Sequence, residues 1–126
     1  MPADNETVIR RLVAAINSKR VGDMDALFHE DVVMEWPQSG ERIVGGDNRR
    51  AVYAAFPTLP TITPIRILGA ADLVVFEASM DYGEGATFMA VFIFEFRDGR
   101  IAKETAYWAS PFEPADWRAQ WVERIG

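Results

Sequence analysis

The sequence predicts an α+β fold in which helices pack on one face of a curved sheet that encloses a pocket. The part of the chain before Pro57 has helical periodicity, whereas the segment from Thr63 to Ser110 alternates like a series of long strands. The 126 residues are 49% hydrophobic and 12% aromatic, which is enough for one substantial core. We therefore expect a single domain over residues 1–126.

The first predicted helix lies within residues 3–23. Asp4 or Asn5 can cap its start, and Gly22 can end it. The apolar stripe that predicts its buried face consists of Val8, Ile9, Leu12, Val13 and Ile16. A short second helix follows with Asp23 as its cap, and it runs into a strand that Pro37 stops.

The third helix is predicted to begin after a pair of glycines, Gly45 and Gly46, with Asp47 as its cap. It spans about residues 48–56, because the prolines that follow prevent a longer helix. The glycine pair resembles part of a phosphate loop, but no Lys-Ser/Thr follows it and no dinucleotide spacing is present. We therefore interpret the pair as a tight turn and expect no cofactor.

Four long strands in hairpin succession are predicted for the second half of the chain, with turn signals at Gly69, Gly83, Gly85 and the Asp98-Gly99 pair. The third of these strands is apolar on both faces, so each face needs cover. Its two faces carry Phe88, Ala90, Phe92 and Phe94 on one side and Met89, Val91 and Ile93 on the other.

The C-terminal residues 114–125 are predicted to form a short amphipathic helix over an apolar surface, because Trp117 and Trp121 lie one turn apart.

Charge and composition exclude several functions. Thirteen basic and nineteen acidic residues give a net charge of -6, which is the wrong sign for binding nucleic acid or an anionic membrane. The sequence shows no signal segment and no apolar run long enough to cross a membrane, and without cysteine it has no disulfide or thiolate site. We expect a cytoplasmic protein.

One acidic cluster resembles a metal site. His29, Glu30 and Asp31 are adjacent in the sequence, but adjacent side chains point in different directions and the chain has no second histidine. We expect a solvated helix end there and no bound metal.

The order of these elements resembles the nuclear transport factor 2-like superfamily, also called cystatin-like, and within it the SnoaL-like, ketosteroid isomerase and limonene epoxide hydrolase branches. The resemblance covers about residues 5–110 and includes the stretches DVVMEWP, IVGG and GRIAKETAYW. It implies a cone-like, curved mixed sheet with three N-terminal helices on its concave face and a pocket between them.

The catalytic groups of these enzymes do not carry over to this chain. Ketosteroid isomerase uses an aspartate base with a tyrosine and a protonated aspartic acid, and the matching positions here are Trp36, Ala15 and Phe92. For the epoxide hydrolase, the matching positions are Ala78, Met80, Ala106, Met34 and Trp36. The resemblance therefore implies the fold and a pocket, but neither of these reactions.

The resemblance also implies which side chains face the pocket. The predicted ligand-binding residues are Met34, Trp36, Phe76, Ala78, Met80, Phe88, Phe92, Ala106 and Trp108. Glu104 has the same parity and is the predicted catalytic acid or base, because a carboxyl among apolar side chains has a raised pKa. Alternatively, Glu104 lies at the rim or pairs with Arg66 or Lys103.

Tyr53 is the second catalytic candidate, since a tyrosine has a matching place beside the ketosteroid isomerase site and a phenol can donate to an oxyanion. Alternatively, it is a half-buried core residue.

The predicted function is binding of a small hydrophobic molecule, such as a terpenoid, steroid-like or polyketide-like compound, with isomerisation or cyclisation by proton transfer. The alternative is an apolar-ligand-binding or dimeric interaction protein without catalysis. A homodimer is expected in either case, because the outer apolar face of the sheet needs a partner and the relatives that this chain resembles are commonly homodimers.

Overall fold

The computed structural model describes residues 4–125. Two α-helices are present, α1 (Asn5–Asn17) and α2 (Gly46–Ala55). Six strands follow the order β1 (Phe28–Trp36), β2 (Glu41–Val44), β3 (Thr61–Ala70), β4 (Leu73–Asp81), β5 (Thr87–Arg97) and β6 (Arg100–Ala109). Two 3-10 helices complete the elements, the first at Val21–Leu27 and the second at Asp116–Trp121.

The six strands form one curved mixed sheet in the order β2-β1-β6-β5-β4-β3. Only β1 and β6 run parallel, and the other neighbours are antiparallel. The predicted α+β fold class is therefore confirmed, including the hairpin succession of β3 to β6. The helices cover one face of this sheet, and the buried apolar residues lie between that face and the helices.

Helix α1 begins as the sequence predicts. The Asp4 side chain accepts a hydrogen bond from the backbone N–H of Glu6 at 3.1 Å, and the predicted apolar stripe is buried. The predicted end at Gly22 is wrong, because the helix stops at Asn17 and Lys19 has a φ of 64°. The backbone therefore leaves the helix before the glycine is reached.

The second predicted helix is shorter than expected. A 3-10 helix ends at Leu27, and strand β1 then begins at Phe28 and ends, as predicted, before Pro37. The predicted cap of the third helix is also wrong: Gly45 precedes α2, and Asp47 lies in its first turn, where it pairs with Arg50.

The short strand β2 was not predicted. It pairs antiparallel with β1 and places Ile43 opposite Met34 on the covered face of the sheet. Four residues with one buried side chain give too short an alternation to be recognised from sequence.

The C-terminal helix was predicted to pack on an apolar surface, and this prediction is wrong. Residues Asp116–Trp121 form a 3-10 helix with no buried side chain, and Trp117 and Trp121 are 74% and 72% exposed. This segment therefore covers no apolar surface of its own chain.

None of the helices within residues 4–125 is long and apolar enough to span a membrane.

Candidate functional site

A small cavity lies between the helices and the covered face of the sheet. Its volume is about 40 Å³. The lining is apolar except for three groups, Glu104, Tyr53 and Tyr82, and the apolar part consists of Leu12, Val13, Ile16, Phe56, Pro60, Ile62, Phe76, Met80, Phe92 and Phe94. A cavity needs roughly 10–15 Å³ to hold one water. This cavity therefore has room for about three waters, or for one very small ligand.

Glu104 lies on β6 with its side chain on the covered face. It pairs with Met34 on β1 and with Phe94 on β5, and it is only 3% exposed. Within residues 4–125, no side-chain hydrogen bond contributes to the pKa of its carboxyl group. Burial raises the pKa of Glu104 to about 8, and the charge of Arg49 opposes that rise.

The two salt bridges that the sequence offers as alternatives for Glu104 are not formed. Arg66 Nη2 pairs with Glu77 at 2.7 Å, and Lys103 Nζ pairs with Glu35 at 3.2 Å. Both cations therefore have other partners, and Glu104 lines the cavity without either of them.

Tyr53 lies on α2 and is half-buried. Its ring packs against Phe56 with the centroids 5.6 Å apart. Burial raises the pKa of its hydroxyl, the neighbouring charge of Glu104 raises it further, and Arg49 lowers it. The phenol is therefore a hydrogen-bond donor at any ordinary pH. It also lines a second cleft of about 200 Å³ beside Gly22 and Asp25.

Tyr82 follows β4 and is the third polar residue of the cavity lining. Its ring meets Phe88 edge to face with the centroids 5.4 Å apart, and burial raises its pKa.

Arg49 is the charged residue of the site that sequence reasoning missed. It is 2% exposed, its Nη2 donates to Asp25 Oδ1, and its guanidinium lies 4.8 Å from the centroid of the Phe28 ring. Within the described chain, its Nε has no hydrogen-bond acceptor. The sequence does not single it out, because Arg49 and Arg50 lie four and three residues before Tyr53 and either spacing can share one face of α2.

The predicted pocket residues divide into two groups. Phe76, Met80 and Phe92 line the cavity together with Glu104 and Tyr53. The others lie outside the lining, and they are Met34, Trp36, Ala78, Phe88, Ala106 and Trp108.

The concave face is filled by aromatic side chains where a pocket was expected. Ala78, Ala90 and Ala106 are buried there, and the Trp36 and Trp108 rings pack edge to face with centroids 5.4 Å apart. The predicted parity is nevertheless the one observed, because Glu104 pairs in register with Met34 on the same face.

The acidic cluster of residues 29–31 lies on β1, so the predicted helix end is wrong. Each side chain has its own partner: His29 Nε2 meets the Arg97 carbonyl oxygen at 2.5 Å, Asp31 pairs with Arg97, and Glu30 pairs with Arg50. These pairs lower the pKa of Glu30 and of Asp31. No cluster of three metal-ligating side chains occurs in the part of the chain that the structure describes.

Comparison with protein families and solved structures gives a consistent result. Residues 9–104 match the SnoaL-like domain family. An NTF-2 like protein of unknown function from Burkholderia xenovorans LB400 is 33% identical, with 97% of this chain and 95% of that chain covered and a TM-score of 0.85. A candidate ketosteroid isomerase from Kribbella flavida DSM 17836 is 25% identical, with 97% and 90% covered and a TM-score of 0.88.

An LEH-like epoxide hydrolase from M. tuberculosis shares the fold at 21% identity, with 83% of this chain and 82% of that chain covered and a TM-score of 0.69. A comparison with curated protein sequences gave no significant match.

Proposed function

This chain belongs to the SnoaL-like domain family, and we propose that it binds a small neutral apolar molecule that carries a carbonyl group and moves a proton on that molecule. The observation that carries the proposal is the buried carboxyl of Glu104, which faces an otherwise apolar cavity and has no protein partner within residues 4–125. Tyr53, on the opposite wall, supplies a phenol.

The charge state of Glu104 selects the ligand. With a pKa of about 8, roughly nine in ten of these carboxyls are protonated at pH 7. The cavity then offers hydrogen-bond donors and no fixed negative charge. A ligand with a carbonyl or ether oxygen accepts hydrogen bonds from these donors. An anionic ligand would be repelled by Glu104 whenever its carboxyl is ionised.

Glu104 can move a proton without a second carboxylate. In its ionised fraction it removes the proton from a carbon next to the carbonyl. The electron pair of that C–H bond forms a carbon–carbon double bond, and the π pair of the carbonyl moves to the oxygen. Tyr53 donates a hydrogen bond to the resulting oxyanion. Glu104 then returns a proton to the enolate; where the substrate carries a carbon–carbon double bond beside the deprotonated carbon, protonation at the far end of the dienolate completes an isomerisation. A raised pKa makes the carboxylate a stronger base near neutral pH.

The cavity volume favours small substrates. Pockets for drug-sized ligands have roughly 300–1,000 Å³, and this one has about 40 Å³. A terpenoid or steroid-like molecule requires the half-buried Tyr53, Phe56 and Tyr82 to move outward. Binding without catalysis is the second candidate, because the small apolar space and the single carboxyl also suit retention of an apolar ligand.

Proton exchange into a ketone tests the proposal directly. Small cyclic ketones are incubated with the protein in D₂O, and NMR follows the loss of the protons next to the carbonyl. We expect faster exchange with the unmodified protein, and we expect Glu104→Gln to lose it, because glutamine cannot accept the proton. Glu95→Gln is the matched control, since Glu95 is an exposed glutamate on the neighbouring strand β5.

Two results would count against the proposal. Equal exchange by Glu104→Gln and the unmodified protein would remove Glu104 from the reaction. Ketone binding, detected by chemical-shift changes of the cavity residues, with no exchange above that of buffer would instead support the second candidate.

A further inference from the structure

Two neighbouring spaces in the structure share one wall residue. The Glu104 cavity has a volume of about 40 Å³, and the cleft beside Gly22 and Asp25 has about 200 Å³. Among residues 4–125, Tyr53 is the one residue that belongs to both linings. The Tyr53 side chain therefore lies between the two spaces, and it separates Glu104 from the larger of them.

The Tyr53 side chain is placed so that it can move. It lies on α2 two residues before the helix ends at Ala55, and it is only partly buried. Its ring contacts the ring of Phe56, which follows the helix, with the two planes tilted by 34°. A partly exposed side chain changes rotamer without disturbing the core. A ligand can therefore displace this ring while α2 stays folded.

The walls of the two spaces differ in polarity. The cavity lining is apolar apart from Glu104 and two tyrosines, whereas three of the six residues that line the cleft are charged, namely Asp25, Arg49 and Arg50. These charges are paired, since Asp25 pairs with Arg49, and Arg50 pairs with Glu30. The cleft therefore suits a neutral polar group that forms hydrogen bonds, because an apolar group would desolvate the charged side chains.

We propose that the cavity and the cleft are two parts of one elongated binding site, and that Tyr53 determines the length of the ligand that this site accepts. The ligand is a neutral molecule with an apolar body in the cavity and a polar tail, such as an alcohol, in the cleft. Its binding turns the Tyr53 ring aside, and the hydroxyl of Tyr53 stays beside the ligand where it passes between the two spaces. This site deepens the proposed function and rests on it for the reaction, because the carbonyl belongs to the body beside Glu104.

The test uses 1-hexanol, a neutral alcohol with an apolar chain and no carbonyl group. NMR measures nuclear Overhauser effects between the alcohol and the protein. We expect contacts of its methyl end with Met80, which lines only the cavity, and of its hydroxyl end with the Gly22 amide, which lines only the cleft. Both protein signals should shift with the same midpoint concentration, because one molecule spans both spaces. Contacts with only one of these residues, or two different midpoints, would overturn the proposal.

Variants of Tyr53 test its role in ligand length. Tyr53→Ala should bind 1-hexanol at least about fivefold more tightly, because the ligand no longer has to displace a ring. Tyr53→Phe keeps the ring and should stay within about twofold of the unmodified protein. Tyr107→Ala is the matched control, because Tyr107 is a partly exposed tyrosine far along the chain on β6 that lines neither space. If Tyr53→Ala does not fold, Tyr53→Leu removes the ring with a smaller loss of volume.

Equal affinities of the ring-free variants and Tyr53→Phe would overturn the proposal, and so would a failure of both to bind 1-hexanol. Because 1-hexanol has no carbonyl group, either result would leave the ketone-exchange proposal standing. Failed ketone exchange would likewise leave the two-part binding site standing.

Discussion

A carboxyl group inside an apolar cavity lowers the stability of the protein that holds it. An unfolded glutamate has a pKa near 4.5, whereas burial raises the pKa of Glu104 to about 8. Between these two values the folded protein keeps a proton that the unfolded chain releases. The contribution of Glu104 to the free energy of unfolding is therefore largest below pH 4.5 and declines as the pH rises toward 8.

Glu104→Gln should remove this decline. Glutamine resembles the protonated glutamate in shape and cannot ionise, so the variant should gain stability relative to the unmodified protein as the pH rises. From the two pKa values, the gain between pH 5 and pH 8 should be roughly 3 kcal/mol. Urea denaturation at the two pH values measures it.

Glu95→Gln is again the control, and its stability difference from the unmodified protein should not change with pH in this way. The carboxylates of Glu30, Asp31 and Glu35 have lowered pKa values and give the opposite trend, but they are present in every variant and cancel. A constant difference between Glu104→Gln and the unmodified protein would show that Glu104 is not buried as an acid.

Sequence reasoning identified the orientation of Glu104 but not that of Arg49. Successive side chains of a strand point to opposite faces of the sheet. Once one residue of β6 is assigned to the correct face, the faces of the others follow as far as the next bulge. An arginine on a short helix is usually solvated, and neither charge nor periodicity distinguishes Arg49 from Arg50 beside it. Only the packing of α2 over Phe28 buries one of them.

At the scale of elements, one side chain ties helix α1 to strand β3. Asn17, the last residue of α1, donates from Nδ2 to the Ile62 carbonyl oxygen at 2.9 Å and accepts from the Ile62 N–H at 2.6 Å. Both groups of one backbone residue are thereby satisfied by one amide. Ile62 itself lines the cavity, so this contact fixes one wall of the site.

Asn17→Ala should destabilise the protein by about 1–2 kcal/mol, because two partly buried backbone groups of Ile62 lose their partner. Asn48→Ala is the matched control: Asn48 makes one exposed hydrogen bond, from Nδ2 to the Val44 carbonyl oxygen at 2.9 Å. Its loss should cost less than about 0.5 kcal/mol. Equal destabilisation of both variants in urea denaturation would contradict the role given to Asn17.

The element boundaries that were predicted best are those set by a residue with special backbone conformation, such as proline or glycine. Proline stops β1 at residue 36, and the Asp98-Gly99 turn, with φ of 53° and 78°, joins β5 to β6. The predicted strand segment begins at Thr63, whereas β3 begins two residues earlier at Thr61 and includes Pro64. Proline is tolerated there because β3 is an edge strand and its pairing with β4 shifts register between Pro64 and Arg66.

At the scale of the whole molecule, the helices pack on only one of the two faces of the sheet. The helices cover one face, while the other leaves Met89, Val91 and Tyr107 55%, 38% and 41% exposed on the neighbouring strands β5 and β6. These residues line a shallow groove of about 390 Å³. We refer to this region as the outer patch. The second 3-10 helix, with its exposed tryptophans, buries no side chain and leaves the patch open.

We propose that a second copy of the chain covers the outer patch. Two carboxylates beside it are paired within the chain, Glu77 with Arg66 and Glu35 with Lys103. These two carboxylates therefore do not meet a second copy as unpaired charges. An apolar sheet face can also meet its own copy about a two-fold axis, which is the symmetry of most homodimers.

Val91→Glu should convert the dimer to a monomer. Val91 lies in the middle of β5, opposite Glu77 and Tyr107 in its two neighbours, so the new carboxylate would be desolvated against the second copy. Light scattering at micromolar concentration measures the mass. Ala14→Glu, which adds the same charge on the exposed side of α1, should remain a dimer. If the unmodified protein is already a monomer, or if both variants lose the dimer alike, the outer patch is not the interface.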